Sequence, residues 1–398
     1  MQFKINFSGK SHDYTLEEID VVIQAMKDAE PYTQGRYQTE FEHKFCEYIG
    51  APHAFAVNNA TAALEITAQL CQFESGDEVI IPSHTFTSSA YPFAKKGAKI
   101  VWADIDLQTR VVTAETIEKK ITPQTKAIVV VHLYGYMADM PSIMMLAKKH
   151  NLLVIEDAAQ SMGTEIAGKK SGTFGDFGVF SLHSHKNITT LGEGGLIVVK
   201  DKKYAEIIPM LRHNGHCVFP FDREDYWIPA MGNVNFPVLN DKILWPNNYC
   251  LGEIECALGA KLLDRLDDLN SQKRMRAIYF IDALKAYPEL EFHREDTFRH
   301  NYHLLAARMT NGKRDMLIRK MANEKGIQCV VQYYPLNRYP LYQKIGFGDA
   351  DCPNTDNFFD NMVSFPFHHW MSDDNFKYML KSTEDVLKSL RKMDDYRD

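Results

Sequence analysis

The sequence contains no Cys-x-x-Cys pair. Its seven cysteines (Cys46, Cys71, Cys217, Cys250, Cys256, Cys329 and Cys352) are odd in number and irregularly spaced. That excludes a disulfide framework and a clustered zinc site, and it suits a reducing compartment. No uninterrupted apolar run reaches the length of a membrane span. The opening residues, MQFKINFSGKSH, lack the basic-then-apolar pattern of a secretory signal, so the cytoplasm is the expected compartment. No Gly-x-Gly-x-x-Gly follows a strand pattern, which removes the dinucleotide fingerprint and the nicotinamide oxidoreductase it would imply. Internal repeats, low-complexity tracts and long linkers are also missing. A formal net charge of -7 gives no basic excess for nucleic acid or an anionic membrane, although a local basic site stays open.

What is present is an ordinary globular mixture. The 398 residues are 45% hydrophobic and 24% charged, enough for one large domain and a smaller one. From Tyr14 to about Tyr48 the apolar spacing is helical (Ile19, Val22, Ile23, Met26), interrupted at Pro31–Arg36. Strands and helices then alternate. Strands are predicted at Phe55–Val57, Glu78–Pro82, Lys99–Asp104, Ala127–Leu133 and Leu152–Glu156, with helices from Thr61, Ser88, Ala114 and Met140. Strands apolar throughout and separated by helices imply a mostly parallel sheet covered on both faces, whose ligands gather beyond the carboxyl ends of the strands.

Three of those strand ends carry signals. Asn58-Asn-Ala-Thr61 opens a helix whose first N–H groups suit an anion, although simple capping by Asn59 or Thr61 explains it equally well. Ser83-His-Thr-Phe86 places an aromatic ring near the same crevice. Glu156-Asp157 is an acidic pair ending an apolar strand, and buried carboxylates need partners. Further on, residues 213–248 are rich in aromatics and proline (Phe219, Phe221, Tyr226, Trp227, Phe236, Trp245) with little periodicity. They read as an ordered loop packed on something, a partner subunit being one possibility. Helical patterns resume at Leu251–Ala257 and run to about Ala286. The remainder gives shorter signals at Tyr302–Ala306, Arg314–Lys325, Gln328–Gln332 and Ser372–Lys392, read as a smaller α+β domain.

The stretch with most chemistry is Phe177–Val199. Two apolar runs, Phe177–Leu182 and Leu196–Val199, flank a polar loop carrying Lys186 and ending in Gly192-Glu-Gly-Gly195. A lysine aimed at a pocket can form a Schiff base with a carbonyl compound or with pyridoxal phosphate. His183 and His185 form a His-x-His, but no acidic or cysteine ligand signature accompanies it, so they read as loop-lining histidines and no metal is expected.

Taken in order, these segments resemble the DegT/DnrJ family of sugar aminotransferases, within the fold-type I enzymes that use pyridoxal phosphate. The likeness spans nearly the whole chain. Its most specific parts are Glu156-Asp-Ala-Ala-Gln160 and Phe180-Ser181 followed by Lys186 and Gly192-Glu-Gly-Gly195, supported by Pro82–Phe86, Val131–Gly135, Leu211–His213 and Asn248-Tyr249. The resemblance implies an α/β fold, with a large domain (1–260) built on a mostly parallel, seven-stranded type of sheet and a smaller C-terminal α+β domain (261–398). It also implies the roles. Lys186 would hold the cofactor and then act as the base, while Asp157 would keep the pyridine nitrogen protonated. Gln160 would meet the ring oxygen and Phe86 would stack on the ring. Ala60, Thr61 and Ser181 would meet the phosphate together with Asn248 reaching in from a second subunit, hence a homodimer. The implied reaction takes an amino group, with L-glutamate the implied donor, to a keto- or aldehydo-sugar of cell-surface polysaccharide or lipopolysaccharide.

Departures from the family pattern bear on the acceptor. Ala60 stands where relatives carry glycine, Cys250 where they carry arginine, Val331-Gln-Tyr-Tyr-Pro335 where His-Tyr is common, and one extra residue separates Lys186 from Gly192. These changes suggest an acceptor whose shape or charge differs from the common nucleotide-linked keto-sugars, and the whole-chain resemblance implies as one specific candidate a free eight-carbon sugar acid oxidised to an aldehyde, the 8-oxo octulosonate. Its carboxylate would need a cation, for which Arg36, Arg212, His213 and His216 are candidates. A nucleotide-linked keto-sugar is the alternative. A dehydratase, which carries histidine at the lysine position, and a non-catalytic regulator on the same scaffold are the readings from other classes.

Overall fold

The computed structural model describes residues 2–10, 12–217, 233–295 and 297–393. Its central sheet has seven strands: β1 (His53–Val57), β2 (Glu78–Pro82), β3 (Lys99–Ala103), β4 (Thr125–Val131), β5 (Leu153–Asp157), β6 (Phe177–Ser181) and β7 (Gly195–Val199). Their order across the sheet is β1-β7-β6-β5-β4-β2-β3. Only β7 runs against its neighbours, antiparallel to both β1 and β6; the other pairings are parallel. β2, β6 and β7 are buried at every position, which is why these runs carry no alternation of polar residues. The carboxyl ends of β1, β2, β5 and β6 and the amino end of β7 therefore share one edge, where the chemistry collects.

Local sequence sets the helices around this sheet. Helix α1 (Leu16–Asp28) opens on a capping box, the Thr15 hydroxyl accepting from the Glu18 N–H at 3.2 Å and the Glu18 carboxylate from the Thr15 N–H at 2.9 Å. Helix α2 (Arg36–Ile49) ends at Gly50, whose φ of 77° is left-handed. Helix α3 (Ala60–Leu70) is buried from Ala62 to Leu70 and is built mainly of small and aliphatic residues, its buried Glu65 and Gln69 being bonded to Lys95 and to the Trp245 carbonyl.

A second, antiparallel sheet joins Leu290–Phe292, Leu305–Met309 and Met362–Phe365 in that order. Its own apolar cluster includes Phe280, Met309, Leu317, Phe365 and Leu387, with the helices Arg314–Lys325 and Asp373–Lys392 supplying part of it. Ile5 joins that cluster from the other end of the chain, bridged in parallel to Ile327. Among the described residues no helix is long and apolar enough to cross a membrane.

Several expected boundaries shift for physical reasons. The helix expected from Ser88 is a short 3-10 turn, Thr87–Ser89, followed by a helix over Tyr91–Lys95. Pro92 tolerates only the first turn. The strand expected at Tyr302–Ala306 begins at Leu305, because Tyr302 has a left-handed φ of 50° that breaks an extended run. Gln328–Gln332 forms no strand; Val330 makes one bridge to Ser364. Part of the aromatic loop lies among the described residues. Its described portion pairs His216–Cys217 with Asn233–Val234 and Val238–Leu239 with Lys242–Ile243. It packs on this chain's own α3 end, Gln69 and Gln72 donating to the Trp245 and Leu239 carbonyls at 2.8 and 2.6 Å. Phe219, Phe221, Tyr226 and Trp227 lie outside the described residues.

Candidate active site

The strand ends enclose a cavity of about 610 Å³. Its first corner is the β1–α3 junction. Asn59 caps α3 by accepting from the Ala62 N–H at 2.8 Å, and Ala60 and Thr61 line the cavity from the first helical turn. Ala60 lies at the start of a regular helix, not at a positive φ, so alanine fits where the family carries glycine. The glycine that matters is opposite. A Cβ on Gly195 would lie 2.5 Å from the Asn59 carbonyl carbon and 2.6 Å from the Ala60 nitrogen. Only a bare backbone lets β7 approach the helix start this closely. Thr61 Oγ1 donates to Ser88 Oγ at 2.9 Å, and Ser181, the last residue of β6, lines the same corner. Adjacent N–H groups, the helix dipole and hydroxyls in one corner form a cradle for a phosphate.

The acidic pair that ends β5 splits into two different jobs. Neighbouring strand residues face opposite sides of the sheet. Asp157 lines the cavity, where its Oδ2 accepts from Ser89 Oγ at 2.7 Å and its Oδ1 from the Ala159 N–H at 3.1 Å. Glu156 faces away and is fully buried. Its carboxylate contacts the His132 ring Nε2 at 2.9 Å and accepts the N–H groups of Gly172, Phe174 and Gly175 at 2.9, 2.6 and 2.7 Å. Burial alone would raise this carboxyl, yet the hydrogen bonds and the His132 ring hold it below its ordinary value. Glu156 is a structural pin, not part of the site.

Lys186 enters from the loop between β6 and β7. The loop closes on itself through Leu182 N–H to the Gly194 carbonyl at 2.8 Å and Lys186 N–H to the His183 carbonyl at 2.8 Å. Before Gly192 the loop turns through a left-handed kink at Leu191, φ 59°, whose N–H donates to the Tyr14 hydroxyl at 3.2 Å. Lys186 is partly accessible from the cavity, but its amine lies deep enough for desolvation to bring its pKa down to about 8. The Asp157 carboxylate works in the opposite direction. Such an amine is available as both nucleophile and base near neutral pH.

The remaining expected residues divide. Phe86 presents a half-exposed ring to the cavity, set edge-on to Tyr333 with centroids 6.1 Å apart. Gln160 is held on both sides, its Oε1 accepting from the Tyr134 N–H at 2.7 Å and its Nε2 donating to the Tyr333 hydroxyl at 3.1 Å. Asn248 does not line the cavity of its own chain; it is exposed beside His213. None of the four candidate cations lines the cavity either. Arg212 is buried in an ion pair with Glu42 and bonded to the Ala56 carbonyl at 2.8 Å, while Arg36 pairs with Asp28 at 2.8 Å. His213 and His216 stack on each other with centroids 4.2 Å apart. The expectation that Arg212 is free to meet an acceptor is thus corrected: a guanidinium inside a core is held by the partners that made its burial possible.

Sequence reasoning missed two histidines. His303 and His368, each less than a tenth exposed, reach the cavity from the C-terminal part of the chain, where Gln332 and Tyr333, in the segment singled out for its departure from the family's His-Tyr, also line it. Burial, then the nearby Lys186 amine, push the His303 imidazole well below its ordinary value, so it is neutral. Ser89 was missed as well, its one signal being a hydroxyl in the stretch where a helix was expected from Ser88. The histidines come from segments whose periodicity gave no reason to bring them here.

Residues 13–384 match the family described as the DegT/DnrJ/EryC1/StrS aminotransferase family. The chain is 33% identical over 387 residues to the GDP-perosamine synthase of Caulobacter vibrioides, covering 95% of this chain and 96% of that one. It is 32% identical over 382 residues to the spore coat polysaccharide biosynthesis protein SpsC of Bacillus subtilis, covering 94% and 95%. Among solved structures it is similar to PseC of Helicobacter pylori, an aminotransferase involved in the biosynthesis of pseudoaminic acid. There the TM-score is 0.86 at 26% identity, with 98% of this chain and 100% of that chain covered.

Proposed function

The chain belongs to the DegT/DnrJ/EryC1/StrS aminotransferase family, and from that premise we propose its acceptor, its donor and its working residues. It is a sugar aminotransferase dependent on pyridoxal phosphate. The proposed reaction takes the amino group of L-glutamate, leaving 2-oxoglutarate, and converts a sugar C=O into CH–NH2. The bound cofactor supplies the electron sink that makes the donor's α-proton acidic. Everything else falls to this chain.

Asp157 is proposed to face the pyridine nitrogen, with Ser89 and the Ala159 N–H fixing which carboxylate oxygen is presented. Ala60, Thr61 and Ser181 are proposed to hold the phosphate, completed by Asn248 of the partner subunit. Gln160 and Phe86 are proposed to fix the ring in its plane. Lys186 is proposed to move the proton, and its lowered pKa is the property that role needs. The observation carrying this reading is the convergence of Lys186, Asp157 and the α3 helix start in one cavity. The same proposal divides the chain into units 1–260 and 261–398, the second having a cluster around Phe280, Met309 and Phe365 while Ala306, Leu336, Tyr342 and Phe358 pack into the cluster of the large sheet, and it sets the enzyme in cytoplasmic synthesis of lipopolysaccharide or a related polysaccharide.

For the acceptor we favour the free 8-oxo octulosonate, giving 8-amino-3,8-dideoxy-manno-octulosonate. Among the described residues lining the cavity, Lys186 is the only lysine or arginine, and four histidines (His183, His185, His303, His368) line it beside Ser8. A diphosphate linkage asks for more cationic charge than one carboxylate does, but with Glu193 also in the lining and none of the four candidate cations there, the acceptor's carboxylate too would need a cation from beyond this lining. The second reading is a nucleotide-linked keto-sugar, favoured by the 33% identity to a GDP-perosamine synthase. A side-by-side assay with glutamate separates them. Efficient amination of the 8-oxo octulosonate supports the first, and amination of a nucleotide-linked 4-keto-6-deoxyhexose alone overturns it.

A further inference from the structure

Behind Lys186 lies a buried polar assembly that the reaction as described does not use. Helix Leu266–Ala283 turns two polar residues, Asn270 and Lys273, inward; they are 3% and 2% exposed. Lys273 Nζ donates to the side-chain oxygen of Asn187 at 2.9 Å and to the His303 carbonyl at 3.0 Å. Asn187, the residue after Lys186, donates in turn to Asn270 Oδ1 at 2.7 Å. Asn270 donates to the Met162 carbonyl at 2.9 Å, and Asn301 donates to the carbonyls of Gln160 and Met162 at 3.1 and 3.2 Å. One network therefore connects the lysine loop, the segment running from Asp157 past Gln160, and the segment presenting His303.

Its centre is chemically expensive. An ammonium buried this deeply favours a carboxylate partner, yet the Lys273 ammonium donates to two neutral oxygens. Burial brings its pKa down to about 7. A methionine of similar length would fill the same space without that desolvation cost. Packing alone does not account for a lysine here, whereas geometry does: two of its donors join the residue beside Lys186 to the backbone of His303, whose neutral imidazole lies near Lys186.

We propose that Lys273 is a positioning residue, which with Asn270 fixes the Lys186 loop against the Asp157–Gln160 segment and the His303 wall. Lys273 touches neither substrate nor reacting atoms, and acts through Asn187 and the His303 backbone. The inference rests on Lys186 carrying the reaction. It predicts that loosening the brace leaves binding in place and degrades the reactive orientation, since a displacement of about 1 Å at a reacting group costs on the order of a hundredfold in rate.

The test is Lys273→Met in the full-length, cofactor-loaded enzyme. Three readouts apply: kcat against KM for glutamate, the visible circular dichroism band of bound cofactor, which reports its orientation, and the melting temperature. The expected result is a fall in kcat of at least about tenfold, KM within about twofold, and an altered dichroic band. Lys273→Gln, which keeps an N–H donor, should recover part of the kcat. A variant with wild-type kcat and dichroism and only a lower melting temperature would show that Lys273 is merely structural and overturn the proposal. Should the Met variant fail to fold, Asn270→Ala cuts the same brace from the other side and is judged by the same criteria. Lys186→Ala in the same assay keeps the two readings apart. Retained turnover there removes the assignment of Lys186 itself, whatever the Lys273 variants do.

Discussion

Gly195 stands so close to Asn59 that a methyl group in place of its hydrogen would sit 2.5 Å from the Asn59 carbonyl carbon. This contact joins the antiparallel strand that follows the lysine loop to the helix start proposed to hold phosphate. Gly195→Ala must push the two apart, because backbone and not a flexible side chain is in the way. The expected outcome is a loss of about 1–3 kcal/mol in stability, and at least about a tenfold weaker hold on pyridoxal phosphate. Equilibrium dialysis of the apo protein measures the second quantity. Undiminished affinity would mean that this corner does not hold the phosphate.

Ser89 and Asp157 provide a graded pair. Asp157→Asn removes the charge proposed to stabilise the protonated pyridine and should lower kcat by about a hundredfold or more, with little change in melting temperature. Ser89→Ala removes only the 2.7 Å hydrogen bond that orients the carboxylate, and a loss of about tenfold is expected. Equal effects of the two, or none from Asp157→Asn, would relegate Asp157 to a structural role.

The Lys186 amine should titrate near pH 8 in the apo protein, far below an ordinary lysine. Only the unprotonated amine reacts with an acylating reagent, so its labelling rate should rise with pH through about 8. Asp157 raises this pKa against the effect of burial. Asp157→Asn should therefore shift the midpoint to lower pH, making Lys186 more reactive near neutrality. Competitive labelling read by mass spectrometry gives both midpoints, and a shift to higher pH would contradict the assigned sign.

Asn248 lies outside the cavity of its own chain, which makes the proposed sharing of sites open to a genetic test. Lys186→Ala and Asn248→Ala should each be inactive or nearly so. Mixed as dimers, half are hybrids, and each hybrid has one intact site of two, so about a quarter of wild-type activity is expected to return. If mixing exchanges subunits, as native mass spectrometry would show, and no activity returns, Asn248 does not complete a neighbour's site.

The sheet was legible because strands covered on both faces carry uninterrupted apolar runs, and its strand ends pointed to Asn59, Phe86, Asp157 and Lys186. The acidic pair was legible as a signal but not in its division of labour. Which of Glu156 and Asp157 faces the cavity depends on strand register, and the amides that receive Glu156 come from residues 172–175. Arg212 misled for a related reason: a guanidinium beside a family motif looks available until the carboxylate of Glu42, far away in sequence, is seen to occupy it. His303 and His368 were not legible, since no periodicity of theirs says which wall of which cavity they will reach, whereas Tyr333 lies in the segment whose departure from the family pattern had marked it.

The buried brace behind Lys186 has a consequence for synthesis on the ribosome. All seven strands of the central sheet, and Lys186 itself, have been made once residue 199 is complete. Asn187 then still awaits Asn270 and Lys273, and the far wall awaits Asn301 and His303. A nascent chain can form its sheet long before its lysine is aimed. On the proposed brace, the chain is not expected to divide into a cofactor-binding fragment and an accessory one, because Asn270, Lys273 and Asn301 hold the segments that carry Lys186 and Gln160. Stalled or truncated products ending near residue 260 would hold the loop without its brace, leaving competence to arrive only with the last third of the polypeptide.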